Sequence, residues 1–218
     1  MPVVTSHHRY IVIEGPIGVG KTSLARRLSI SFGSELMLED ADDNPFLERF
    51  YEDPKAAALP AQLFFLFQRA QKMQVLNQHD MFTPVRLSDF LMDKDRLFAE
   101  LTLDADELKL YQQVADKLSI KAPVPDLVVY LQAPVDVLKQ RIAGRGIASE
   151  QVIDNEYLTS LVDLYSRFFH HYNDAPLLIV NAAEIDPINK EEDYQLLLKR
   201  IVSMRSGRHY YNPLPMVM

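Results

Sequence analysis

The sequence predicts an α/β protein, a doubly wound five-stranded parallel sheet flanked by helices. Three observations carry that prediction. Short β-rich apolar runs alternate with segments of helical period along most of the 218 residues. The runs have the unbroken apolar character of strands buried on both faces. Three of the seven glycines fall within residues 15–20, between the first apolar run and the first helical segment.

Taken in order, Tyr10 to Ile13 (YIVI) is the first strand, and KTSLARRLSISFG is a helix ending near Gly33. ELMLE, residues 35–39, is the second strand. NPFLERFY, residues 44–51, reads as a helix with Asn44 as N-cap and Pro45 in its first turn. LPAQLFFLFQRAQKMQVLNQ, residues 59–78, is a long helix on which Gln62 and Arg69 lie seven apart and share one side. VRLSDF, residues 85–90, is a third strand that ends in an acid, and a helical stretch runs on to about Leu118. DLVVYLQ (126–132) and PLLIVNA (176–182) complete the sheet, with VDVLKQRIAGRG and NEYLTSLVDLYSRFFHHY helical between them. No repeat or linker divides the chain, so 1–218 is expected to be one domain, with an irregular tail over about 206–218.

Composition narrows the function. A net charge of −7, from 23 basic and 30 acidic residues, argues against a nucleic-acid partner, since no excess of cations exists to neutralise phosphates. Cysteine is absent, which excludes disulfides and thiolate metal sites. The first residues carry no signal-peptide pattern, and no run of about eighteen apolar residues is present. A cytoplasmic protein without membrane contact is expected.

Gly15-Pro16-Ile17-Gly18-Val19-Gly20-Lys21-Thr22 fits the phosphate-binding pattern G-x-x-x-x-G-K-[ST], followed by Ser23. Glycines let successive N–H groups turn toward phosphate oxygens, and the helix that starts near Lys21 adds its positive end. Lys21 is placed for the outer phosphates and the Thr22 hydroxyl for magnesium. The strand before it and the helix after it are the context the pattern requires. A nucleoside triphosphate is the expected ligand.

Ligands of a doubly wound sheet sit at the carboxyl ends of its strands. Glu39 and Asp89 fall at two such ends; one could accept a hydroxyl proton and the other hold the metal. Arg141 and Arg145, four apart in QRIAGRG, share a helix face, with Gly144 and Gly146 as candidate hinges of a flap that stabilises phosphoryl charge.

With these residues on the page, the chain resembles the deoxynucleoside kinase family, phosphate-loop enzymes that phosphorylate the 5′-hydroxyl of deoxyribonucleosides. The likeness spans about residues 9–182 and rests on the loop and on LEDADDNPFLERFYEDP, QLFFLFQR, SDFLMDKDRLFA, RIAGRGIASEQ and EYL, in that order. The branch it is most similar to is the bacterial deoxyadenosine/deoxyguanosine kinases. The resemblance implies a P-loop kinase fold with a short arginine-bearing lid at about 141–151, ATP as phosphoryl donor, Mg²⁺, a purine deoxyribonucleoside as acceptor and a homodimer.

It further implies roles. Glu39 matches the general base, and Tyr51 and Glu150 the pair that holds the sugar 3′-hydroxyl. Gln62 and Arg69 match the residues that meet the base edge, Asp95 the acid paired with that arginine, and Phe98 the aromatic packed on the base. Arg141 and Arg145 match lid arginines, with Lys21 and Asp89 completing the catalytic set. The chain departs from the family's pattern in two places. An acid-Arg-Ser/Thr triplet is replaced by Asp89-Phe90-Leu91, and a further lid arginine by Ile147; Arg86, Lys94 and Arg96 are the nearby cations. A nucleoside monophosphate kinase resembling thymidylate kinase and a catalytically weakened nucleotide-binding scaffold are the alternative readings.

Overall fold

A computed structural model describes residues 4–77 and 85–213. Its sheet is parallel throughout, with strand order β2-β3-β1-β4-β5-β6. The strands are β1 (Tyr10–Glu14), β2 (Glu35–Met37), β3 (Arg86–Ser88), β4 (Leu127–Gln132), β5 (Leu177–Asn181) and β6 (Arg208–Tyr211). The helices are α1 (Lys21–Phe32), α2 (Leu47–Glu52), α3 (Pro54–Asn77), α4 (Lys94–Thr102), α5 (Ala105–Leu118), α6 (Val135–Arg145), α7 (Asn155–His171) and α8 (Glu191–Ser203).

The two-residue period of the strands divides the core. Ile11, Ile13, Val129, Leu131, Leu178 and Val180 face one side and pack with Leu24 and Leu28 of α1 and Leu197 and Ile201 of α8. Their neighbours Tyr10, Val12, Val128, Tyr130 and Ile179 face the other side, against Met73 of α3 and Leu161, Tyr165 and Phe169 of α7. This is the doubly wound arrangement the sequence predicts, with α1 ending at Gly33 in a left-handed cap.

Several boundaries differ from expectation. A sixth strand, β6, occupies residues expected to be an irregular tail; Gly207 turns the chain at φ 74° and Arg208–Tyr211 joins the sheet edge beside β5. Four residues, RHYY, with no polar/apolar alternation give little periodic signal. The helix α8 was not expected at all, although Tyr194, Leu197, Leu198 and Ile201 are buried at helical spacing. The helix at residues 44–51 starts later, at Leu47; the Asn44 carboxamide oxygen instead accepts from the Phe46 N–H (3.0 Å) in a turn before it.

The long helix starts earlier, at Pro54, and Pro60 lies inside it. Pro60 removes one helical donor, and Ala57, Ala58 and Ala61 around it pack with Phe50. Residue 78, its expected end, lies outside the described residues. The stretch after β3 is two helices, because Asp104 forms a reciprocal capping box with Glu107 that starts α5.

Candidate active site

Two cavities meet at the carboxyl ends of the central strands. The first is lined by the start of α1, by the segment after β2, by α2, α3 and α4, and by Arg145, Glu150, Tyr157 and Tyr165. The second lies between the glycine loop, α6 and residues 182–190. Arg145 borders both.

At Gly15 and Gly18 the glycine loop has no room for a side chain. A Cβ on Gly15 would lie 2.3 Å from the Leu131 carbonyl oxygen, and one on Gly18 would lie 2.8 Å from the Ile142 Cγ1, with φ at 149° and 80°. Lys21 donates to the Pro16 carbonyl across the loop (3.1 Å). Burial and the nearby Lys94 charge bring its ammonium down to about 8. Thr22 Oγ1 donates to Asp89 Oδ2 (2.5 Å), and Asp89 Oδ1 accepts from the Glu39 N–H (2.7 Å). One carboxylate beyond β3 therefore ties the loop helix to the segment leaving β2. β2 itself stops at Met37, so Glu39 lies two residues past the strand rather than at its end.

The Glu39 carboxylate is held by two cations. Arg69 bonds Oε1, and the Lys94 ammonium bonds Oε2 at 2.7 Å. Burial opposes its ionisation, but the Arg69 and Lys94 charges more than offset this and hold it well below the usual carboxylate range. Arg69, 2% exposed, also bonds Asp95. Burial keeps Asp95 above its ordinary value despite that partner. Asp95 does not line the cavity; it stands behind Arg69 and fixes its plane.

Gln62, Phe98 and Tyr51 line the same cavity as Glu39. Gln62 and Arg69 do share one side of α3, and both are buried. Glu150 accepts from Arg145 at 2.8 Å, while its second oxygen is buried without a partner. Burial raises the Tyr51 hydroxyl well above its ordinary value, so it is neutral.

The two arginines of α6 part company. Arg141 donates to the carbonyls of Val19 (3.1 Å) and Ala182 (2.6 Å) beside the second cavity, whereas Arg145 reaches Glu150 beside the first. Gly144 is helical and is not a hinge; Gly146, at φ 70°, caps the helix. Ile147 precedes a short 3-10 turn, Ala148–Glu150.

Sequence reasoning missed three contributors. Tyr157 and Tyr165 line the cavity from α7, a helix whose aromatic residues give the sequence no cue to which of them face a ligand. Glu14, 1% exposed, accepts from the N–H groups of Gly15 (2.7 Å) and Leu91 (3.0 Å) and from the Tyr165 hydroxyl (3.0 Å). An acid closing an otherwise apolar strand was the available signal. Of the three cations near the altered triplet, Arg86 reaches the Leu76 carbonyl and Arg96 pairs with Glu100 in solvent; Lys94 alone enters the cavity. No group of three or more His, Cys, Asp or Glu side chains suited to hold a metal is found among the described residues. Nor, among them, is any helix long and apolar enough to cross a membrane.

Comparison with known proteins matches residues 11–204 to the family model described as deoxynucleoside kinase. A deoxyguanosine kinase of Bacillus subtilis is 31% identical over 198 residues, covering 88% of this chain and 95% of that protein. A deoxyadenosine kinase of Lactobacillus acidophilus is 28% identical over 206 residues, covering 88% and 94%. The structure of a deoxyadenosine kinase from M. mycoides with bound dATP superposes with a TM-score of 0.77 at 24% identity, covering 90% of this chain and all of that one. The same enzyme with dCMP and dCDP gives 0.78 at 23% identity, covering 89% of this chain.

Proposed function

The chain belongs to the deoxynucleoside kinase family, and from that premise we propose that it transfers the γ-phosphoryl group of ATP to the 5′-hydroxyl of a purine deoxyribonucleoside. The observation that carries this reading is that Lys21 and Thr22 of the glycine loop border the same cavity as the Glu39 carboxylate. Donor and acceptor groups thus meet without a large rearrangement.

In this reading the loop N–H groups, Lys21 and Ser23 hold the triphosphate, with the nucleotide's remainder along the second cavity beside Arg141. The acceptor occupies the first cavity. Gln62 and Arg69 face the base edge, Phe98 packs on the ring, and Tyr51 with the unpartnered oxygen of Glu150 receives the sugar 3′-hydroxyl. Glu39 takes the 5′-hydroxyl proton while the new O–P bond forms and the bond to ADP breaks. Arg145 follows the transferring group. The hydroxyl of Thr22 and the carboxylate of Asp89 are adjacent hard-oxygen donors that suit Mg²⁺, which keeps most of its shell for water and phosphate. When bound, the ion would neutralise charge on the phosphates.

A nucleoside is favoured over a nucleoside monophosphate because Arg69, Lys94 and Arg145 at the acceptor cavity are each already paired with a carboxylate. A purine is favoured by the names of the relatives above. A single-domain homodimer belongs to the same reading, by family likeness alone. The test is transfer from labelled ATP with magnesium to the four deoxynucleosides and their monophosphates in parallel. Transfer to deoxyadenosine or deoxyguanosine is expected. Labelling only of monophosphates, or nucleotide binding without transfer to any acceptor, would overturn it.

A further inference from the structure

Position 90 brings no charge to the site. Phe90 is fully buried and packs with Met73 and Tyr130, and Ser88 bonds both its N–H (3.2 Å) and its carbonyl (2.8 Å), so its side chain cannot enter the candidate site. Four residues later, at the first position of α4, Lys94 is only 6% exposed and lines the acceptor cavity with its ammonium on Glu39. Of the other cations there, Arg69 is bridged between Glu39 and Asp95, Lys21 belongs to the loop, and Arg145, given above to the transferring group, reaches the cavity from the end of α6 on Glu150. An ammonium has three N–H donors, and Lys94 commits one of them to a carboxylate.

Resting on the kinase reading above, we infer that Lys94 is a catalytic residue of the acceptor side, whose charge passes from Glu39 to the transferring phosphoryl group during the reaction. The chemistry supplies the switch. Before transfer, Lys94 and Arg69 hold Glu39 ionised and aimed. As the proton leaves the 5′-oxygen for Glu39, the O–P bond forms and the bond to ADP breaks. The protonated carboxyl no longer neutralises Lys94, and the freed positive charge then faces the phosphoryl oxygens. A group that is neutralised in the ground state and released in the transition state stabilises only the latter, which raises kcat rather than substrate affinity. Lys94 and Lys21 line the same cavity, one from α4 and the other from the glycine loop.

The test is Lys94→Met and Lys94→Arg beside the wild type. For Lys94→Met, kcat should fall about 100–1,000-fold while the KM values for ATP and nucleoside move less than about fivefold, a split a misfolded or loosened site would not give. Lys94→Arg should recover at least tenfold of that loss. A Lys94→Met enzyme that keeps kcat within threefold, or loses KM and kcat together, overturns the inference.

A binding measurement keeps the outcome separate from the kinase reading. ADP with magnesium and fluoroaluminate, a stand-in for the phosphoryl group in flight, should bind Lys94→Met at least tenfold more weakly than wild type, with ADP alone unchanged. If wild type transfers phosphate to no acceptor, the kinase reading fails, and this measurement still decides Lys94: equal fluoroaluminate affinity in the two proteins removes it.

Discussion

On the donor side of the site, position is set by backbone. Gly15 and Gly18 sit where no Cβ fits, and the buried Glu14 accepts from the Gly15 N–H, anchoring the loop to β1 and to the chain at Leu91. On the acceptor side, position is set by ionised side chains: Glu39 from beyond β2, Arg69 from α3, Lys94 and Asp95 from α4. The difference suits the two ligands proposed for them. A triphosphate carries many equivalent oxygens, and a nest of N–H groups serves any nucleotide that has them. An acceptor hydroxyl is neutral and single, and must be met by a group whose protonation is controlled. That control requires charges, and buried charges require partners.

The sharpest break in this contrast should come from Glu39→Gln. Removing the carboxylate proposed as the base is expected to lower kcat by about 100–10,000-fold with nucleotide binding preserved, as read by steady-state kinetics and ATP titration. Arg69→Leu should act on stability instead. It leaves Glu39 and Asp95 buried without their shared cation, at a cost of about 3–5 kcal/mol, measurable by urea denaturation. A loss below about 1 kcal/mol would mean that the acceptor side is held by packing and not by charge.

Gly18→Ala tests the donor side. It places a methyl group against Ile142 and the Leu138 carbonyl at positive φ, and about 1–3 kcal/mol of strain is expected, with ATP affinity falling and nucleoside affinity retained. The smallest effect is one of pH. The Lys21 ammonium, lowered to about 8, is charged below that value and neutral above it. Phosphate binds the charged form, so kcat/KM for ATP should decline as pH rises through about 8, approaching about tenfold per unit. Saturating ATP should move the decline to higher pH, because bound phosphate favours the charged lysine.

The same contrast explains what could be read from the residues alone. The loop is legible because its chemistry is contiguous: eight residues hold the glycines, the lysine and the hydroxyl, and the strand and helix beside them are strongly patterned. The parallel sheet was legible for the same reason, from β1, β4 and β5, whose side chains are buried on both faces. The acceptor cavity gathers side chains from residues 17 to 165, and spacing alone reached only the shared face of Gln62 and Arg69. Its partnerships came from family resemblance or, for Lys94, Glu14 and Tyr165, from the structure. Asp95 shows the limit well, because it never borders the cavity and acts only through Arg69. At the periphery, β6 escaped notice because a short edge strand has one neighbour and little pattern.

The strand order carries a consequence for how the chain reaches this state. β1 is made first, yet its sheet neighbours are β3 and β4, which begin 76 and 117 residues after it. One of its edges stays unpaired until more than half the polypeptide has been synthesised, and β5 waits for the last strand, β6. Contacts this distant in sequence slow folding and prolong the exposure of sticky intermediates. The glycine loop, conspicuous so early in the sequence, is therefore expected to acquire its shape late in biogenesis, and nucleotide added during refolding should favour the final compact form rather than speed the first collapse.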